Sequence, residues 1–195
     1  MAHTAFDDVA PWKAWTPDQV AARLQDVRTV DGRPLRWAIA GGWALDLFLG
    51  RSIRDHADLE IALLNDDVPA VIDAFAGAQW RWSVPTDGSL QPLDSAAYTR
   101  TQQTWLWSEA DDAFVLDVFR EKHDGDTWIF RRDPQITMPW SALAHRTGAG
   151  TPYLSPEVVL LFKAKPARPK DVADLRTVLP SLTAAQRAWL RVSIE

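Results

Sequence analysis

The sequence predicts an α+β protein: a short mixed β-sheet flanked by helices, followed by a helical C-terminal part. Three observations carry this prediction. Helix-start signals stand near both ends, at Thr16-Pro17 and again from Ser155 onward. The middle, Gln79 to Arg132, is a series of β-like runs separated by Asp/Gly turns. Between the first helix and that middle, two short apolar runs enclose a helix that opens on a double glycine. Helices before and after a set of strands pack as layers over one core.

In order, Thr16 is the N-cap of a first helix with Pro17 at its first position. Val20, Leu24 and Val27 form its apolar stripe. Asp31-Gly32 is a turn, and Leu35 to Ala40 reads as a buried strand. Gly42 to Leu49 reads as a short helix closed by Gly50, since glycine enters the left-handed conformation of a C-cap without strain. Asp58 to Leu64 is a strand, and Pro69 to Phe75 a helix after the cap Asn65-Asp66-Asp67. Gln79–Val84, Thr104–Ser108, Phe114–Arg120 and Thr127–Arg132 are strands, parted by turns such as Asp87-Gly88-Ser89 and Asp124-Gly125-Asp126. Ser155, Pro169 and Thr183 begin three closing helices. The core spans about 16–135 and the C-terminal helical part about 153–195 of a single domain.

Composition narrows the function classes. The chain has 195 residues, 47% apolar and 24% charged, with no cysteine. That length supports one core without staples, and disulfides and thiolate metal sites are excluded. No apolar run is long enough to span a membrane, and Met1 to Trp15 does not read as a signal peptide. A cytoplasmic location follows as the expectation. A net charge of −5 gives no general attraction to nucleic acid and favours a small, even cationic, partner. The 11 tryptophans are expected mainly in core and edge packing. His3, His56, His123 and His145 have no metal-ligand spacing; solvent exposure is the expectation for His56. No serine sits in a nucleophile elbow.

The chemistry-bearing residues lie in four places. Asp58 and Glu60 are two apart on a strand, so both carboxylates leave one face, about 6.6 Å apart at the backbone. Such a pair suits Mg²⁺, which takes one or two carboxylates plus substrate phosphates; taken alone, it reads more readily as the wet face of an edge strand. Asp117 is the only polar residue in Phe114-Val115-Leu116-Asp117-Val118-Phe119. Such a carboxylate needs a partner or a cation. If its strand lies beside that of Asp58, three carboxylates converge and call for a metal. Gly41-Gly42 opens a helix whose free N–H groups and dipole attract phosphate, although it is neither a Walker loop nor a dinucleotide fingerprint. Lys163 ends the apolar run Val158-Val159-Leu160-Leu161-Phe162 and either snorkels or reaches an anion in a cleft. With Lys165, Arg168 and Lys170 it makes a basic cluster. Asp171 and Asp174 brace the next helix. Arg51 and Arg54 either touch phosphates or pair with Asp55 and Asp58.

Taken together, Ala40-Gly41-Gly42-Trp43-Ala44-Leu45-Asp46, Arg51, Arg54-Asp55-His56-Ala57-Asp58-Leu59-Glu60-Ile61, Leu116-Asp117-Val118-Phe119, and the stretches Ser155–Lys165 and Arg168–Leu175 resemble the aminoglycoside 2''-nucleotidyltransferase-like family. The lincosamide nucleotidyltransferases share the pattern, within the DNA polymerase β-like superfamily. The resemblance covers about residues 35 to 180. It implies a single nucleotidyltransferase domain in which Asp58, Glu60 and Asp117 hold two Mg²⁺ ions. Gly41 and Gly42 would border the triphosphate of an NTP co-substrate, and Arg54, Lys163, Lys165 and Lys170 would offset its charge. Asp117 would orient or deprotonate a hydroxyl of a small acceptor, with an aminoglycoside-like antibiotic as the candidate. Where many superfamily members carry Asp-x-Asp, this chain has Asp-x-Glu, which lengthens the reach by one methylene. The alternatives are a toxin-like enzyme acting on RNA or protein, which would need a basic track, and a catalytically silent nucleotide-binding or interaction domain, against which all three acids argue. Oligomeric state has no signature in the chain.

Overall fold

The computed structural model describes residues 11–86, 88–165 and 167–194; His3, Asp87 and the leader reading of residues 1–10 lie outside them. The element order is α1 (Pro17–Leu24), β1 (Trp37–Ile39), α2 (Gly41–Leu49), β2 (Glu60–Leu64), α3 (Val68–Ala74), β3 (Trp80–Thr86), β4 (Ser89–Gln91) and α4 (Ala97–Arg100). Then come β5 (Gln103–Ser108), β6 (Ala113–Glu121), β7 (His123–Asp124), β8 (Thr127–Ile129), β9 (Thr137–Pro139), α5 (Trp140–Leu143), β10 (Ala144–Arg146) and β11 (Pro152–Leu154). Helices α6 (Pro156–Lys163), α7 (Pro169–Val178) and α8 (Ala184–Ile194) close the chain. The α+β class is as the sequence predicts, and the sheet is mixed. Its eight strands run in the order β10-β11-β1-β2-β6-β5-β3-β4, beside a three-stranded sheet β7-β8-β9.

Local chemistry accounts for the element ends. Thr16 Oγ1 accepts from Gln19 N and Gln19 Oε1 accepts from Thr16 N, a reciprocal capping box with Pro17 behind it. Gly50, at φ +66°, is the left-handed C-cap of α2. Ser155 stands at the N-cap of α6, but its hydroxyl makes no capping bond and is buried without a partner among the described residues. The run from Asp58 forms a strand only from Glu60, because Asp58 lies in a bend before β2.

Two central strands set the site. In β2, Ile61, Ala62, Leu63 and Leu64 are all buried, so both faces are covered, and β6 is nearly as apolar. They pair in parallel, with Glu60 opposite Asp117 and Leu64 opposite Glu121. Strand β1 runs antiparallel to β2 and delivers the chain to Gly41 at the level of Glu60, where Ala40 N donates to Glu60 O at 2.8 Å. Three-residue strands β10 and β11 extend the sheet past β1, with Ile39 opposite Tyr153. They lie in residues 144–154, largely outside the two stretches outlined from the sequence. Helix α6 packs on α2, α7 and α8, which places its C-terminal turn over the β2–β6 face.

Candidate active site

The acids are brought together by strand pairing. Because β2 and β6 are parallel neighbours in register, Glu60 and Asp117 stand side by side on one face. Asp117 is 3% exposed. Its Oδ2 accepts from Gln103 Nε2 at 2.8 Å, and its Oδ1 is buried without a hydrogen bond among the described residues. Burial first, and then the neighbouring charge of Glu60, push its pKa well above the usual carboxylate range, against the hydrogen bond from Gln103. The carboxyl of Glu60 is pushed up to about 7, by burial first and then by Asp58, against the pull of Lys163, Arg168 and Lys170. Asp58 is half-buried in the bend before β2, with its backbone carbonyl held by Trp43 Nε1 at 3.2 Å. It therefore does not share a strand face with Glu60.

Two adjacent carboxyls, one with an orphaned oxygen, each destabilised as an anion, are hard oxygen donors suited to positive charge. That donor chemistry fits a divalent cation. The three acids are not preassembled as a ligand shell, however: among the described residues no group of three His, Asp or Glu side chains stands in position to hold a metal ion.

The double glycine divides its work. Gly41 adopts φ +57°, and a Cβ there would lie 1.7 Å from Glu60 Oε2, so the carboxylate of Glu60 occupies the space that the missing side chain leaves. Gly42 instead makes room for His56 and Arg54, each within 2.5 Å of where its Cβ would fall. The His56 side chain, 3% exposed, corrects the expectation of a solvent-facing histidine. Its Nε2 meets Asp46 Oδ2 at 2.8 Å and its ring lies 4.8 Å from that of Trp43. Those contacts fix the loop that carries Asp58.

The basic residues separate into occupied and open groups. Arg54 is bidentate to Asp174 (3.0 and 3.2 Å), so its guanidinium ties the loop to α7 and is not open to a phosphate. Lys163 does reach buried anions, but they are Asp171 and Asp174, each at 3.0 Å. Burial raises the pKa of both aspartates, and their bonds overcome it: those from Arg168 and Lys163 hold Asp171 low, those from Arg54 and Lys163 hold Asp174 low. Arg168 also pairs with Asp171, at 2.8 Å. Lys170 is exposed on α7 and does not line the cavity described next. Lys165 does line it and forms no ion pair among the described residues.

A cavity of about 300 Å³ opens over this face. Gly41 and Glu60 stand at one end of its floor, with Ala62, Phe119 and Glu121 further along the strands, and Phe162, Lys163 and Lys165 come from the α6 end. Arg131 and Arg132, to which the sequence alone gives no role, complete it. Neither forms an ion pair among the described residues; Arg132 Nη1 donates to Phe162 O at 2.8 Å. The one signal for them is two consecutive arginines just past the end of β8 in an acidic chain. Gln103 and Glu121 also escape the sequence, because β5 and β6 bring them here only through strand pairing.

The family profile described as aminoglycoside-2''-adenylyltransferase matches residues 23–92, which include Gly41, Gly42, Asp58 and Glu60 and stop short of Asp117. The resemblance read from the motifs holds. Among solved structures, the solution structure of the antibiotic-resistance factor ANT(2'')-Ia is 17% identical, with a TM-score of 0.58, covering 92% of each chain. The crystal structure of ANT(2'')-Ia in complex with adenylyl-2''-tobramycin gives 17% identity and a TM-score of 0.60 over 90% of this chain and 95% of that one. The lincomycin-bound lincosamide antibiotic adenylyltransferase LnuA gives 18% and 0.51 over 74% of this chain and 85% of that one. No curated protein sequence matches the chain. The fold is thus that of the antibiotic nucleotidyltransferases. No helix among the described residues is long and apolar enough to cross a membrane.

Proposed function

We infer that the chain is a nucleotidyltransferase that moves a nucleoside monophosphate from an NTP to a hydroxyl of a small molecule of the antibiotic kind. One observation carries this reading. Glu60, which lines the cavity beside Gly41, stands paired with the buried Asp117 on the adjacent strand, and the Lys165, Arg131 and Arg132 of that cavity form no ion pair among the described residues. The matched family and the solved relatives, named for adenylyl transfer to aminoglycosides and lincosamides, support the acceptor class.

In the reaction, the acceptor oxygen forms a bond to the α-phosphorus as the bond to the β-phosphate bridging oxygen breaks, and pyrophosphate leaves. Asp117 orients the hydroxyl and takes its proton. Gln103 holds the Asp117 carboxyl in place. Lys165, Arg131 and Arg132, which line the cavity, meet phosphate oxygens, a role the family resemblance assigns to Arg54, Lys163, Lys165 and Lys170. Mg²⁺ held by Glu60 and Asp117, with Asp58 beside them, would supply the charge that keeps these carboxyls ionised and that offsets the phosphate oxygens. Lys163 acts indirectly, by fixing Asp171 and Asp174 at the cavity wall.

Differential scanning with Mg·ATP, Mg·GTP, Mg·CTP and Mg·UTP tests the reading. At least one NTP is expected to raise the midpoint by several degrees, as binding at a hundredfold excess over Kd adds about 2.7 kcal/mol. No shift with any NTP would contradict it.

A further inference from the structure

Arg120 is a buried charge that neither the cavity nor the ion pairs of the site account for. It lies on β6 three residues past Asp117, so its side chain leaves the opposite face of the sheet. It is 5% exposed, and among the described residues no carboxylate stands in ion-pair range of it. Backbone carbonyls take that place. Nη1 donates to Tyr98 O at 2.8 Å, and Nη2 to Thr101 O at 2.7 Å and to Gln103 O at 3.4 Å. The backbone N–H of Arg120 adds a bond to Gln102 O at 2.7 Å. The guanidinium carbon lies 3.7 Å from the centroid of the Tyr98 ring, and Nε is buried without a hydrogen bond among the described residues. A guanidinium buried against carbonyls alone is costly, and an apolar side chain of similar volume would destabilise the core less. What the arginine adds is a planar fork that holds several carbonyls at once.

Those carbonyls belong to the segment that feeds the site. Tyr98 is in α4, Thr101 and Gln102 join α4 to β5, and Gln103 is the first residue of β5. Gln103 stands opposite Phe119 on β6, and its Nε2 reaches diagonally to Asp117 Oδ2 at 2.8 Å. From Trp105 onward β5 is held between β3 and β6, whereas Gln103 and Thr104 lie beyond the register with β3. The end of β5 that carries the contact to Asp117 is therefore the end most able to fray, and the Arg120 clasp closes on it.

We propose that Arg120 is a positioning residue for the transfer. By fastening the carbonyls of Tyr98, Thr101 and Gln103 it sets the Gln103 amide against Asp117, a carboxyl on the other face of its own strand. This rests on the reading of Asp117 as the group that orients the acceptor hydroxyl. The clasp acts through one hydrogen bond, so its loss should fall on the reacting geometry and spare the cavity, none of whose lining residues it holds.

Steady-state kinetics of Arg120→Lys, Gln103→Ala and the double variant test the assignment. An ammonium cannot span the carbonyls that the fork holds, so Arg120→Lys should lower kcat about tenfold and leave the KM for the NTP unchanged. Gln103→Ala should lower kcat by a similar factor. The double variant should lose no more than Gln103→Ala alone, since the clasp works through that amide; an arginine that merely supports the fold would give losses that multiply. Tyr98→Ala removes the ring over the guanidinium and keeps the carbonyl. It should give a smaller loss of kcat that also vanishes in the Gln103→Ala background, and it serves if Arg120→Lys does not fold. Side-chain amide NMR of Gln103 reads the contact with no reaction: its signal, identified by its absence in Gln103→Ala, should shift and exchange faster with water in Arg120→Lys. An Arg120→Lys with the kcat of the wild type, a double variant whose loss is the product of the two, or a Gln103 signal that does not move would overturn the assignment and leave the transfer reading standing. A wild type that transfers nothing would overturn the transfer reading itself, and the Gln103 signal alone would then decide whether Arg120 sets the contact.

Discussion

Gly41 shows how tightly one residue can couple backbone to chemistry. With φ at +57° and Glu60 Oε2 only 1.7 Å from where a Cβ would fall, any side chain there must displace the carboxylate. Gly50 has a similar φ, +66°, with open space around it. Gly50→Ala should therefore cost only the left-handed strain, about 1–2 kcal/mol, and leave transfer intact. Gly41→Ala should add the collision with Glu60 and abolish transfer, as chemical denaturation alongside a pyrophosphate-release assay would show. The acids make a pH prediction. The folded pKa of Glu60, about 7, exceeds its ordinary 4.5, and that of Asp117 is raised as well. Their contribution is fully present below the ordinary value and is lost as pH rises through the folded one. In chelator, the melting midpoint of the wild type should fall between about pH 5 and pH 8. Glu60→Gln should flatten the fall, and Mg²⁺ should oppose it.

At the scale of elements, the wall of the site is tied by charge. Lys163 at the end of α6 bonds Asp171 and Asp174 on α7, and Arg54 from the loop before β2 holds Asp174 from the other side. Removing Lys163 takes one of two cationic partners from each aspartate, because Arg168 still pairs with Asp171 and Arg54 with Asp174, so the cost is about 1–3 kcal/mol rather than that of a fully uncompensated buried charge. Lys163→Met should therefore lower stability by that order and raise the apparent KM for the NTP, measured by urea unfolding and steady-state kinetics. If Lys163 touched phosphate directly, the loss would fall on kcat with stability unchanged. Local signals made parts of this level legible: the Thr16 capping box, the Gly50 C-cap, and the strand of Leu59, Ile61 and Leu63. Lys163 was legible as a buried lysine, but its anions lie eight and eleven residues later on another helix, and only packing brings them close. Strands β10 and β11, three residues each, are too short to carry a period.

For the whole molecule, parallel pairing of β2 and β6 is the decisive event, since it joins residues 57 positions apart into one site. The sequence pointed to it through one oddity, a lone aspartate in an apolar strand. It did not point to Arg131, Arg132, Gln103 or Glu121, whose neighbours depend on register between strands and on the fall of the chain after β8. The charge of the cavity is likewise a property of the assembled fold: in a chain of net −5, the cations Lys165, Arg131 and Arg132 gather over a floor of acids. That arrangement suits a polyanion whose reacting end must approach carboxylates. The most direct test of NMP transfer follows the label of an α-labelled NTP with Mg²⁺ and a panel of aminoglycosides and lincosamides, in the wild type and in Asp117→Asn. The account predicts label in an acceptor with pyrophosphate released one for one by the wild type, and a loss of at least about a hundredfold in Asp117→Asn. Full turnover by Asp117→Asn would contradict it, as would a wild type that labels no acceptor in the panel.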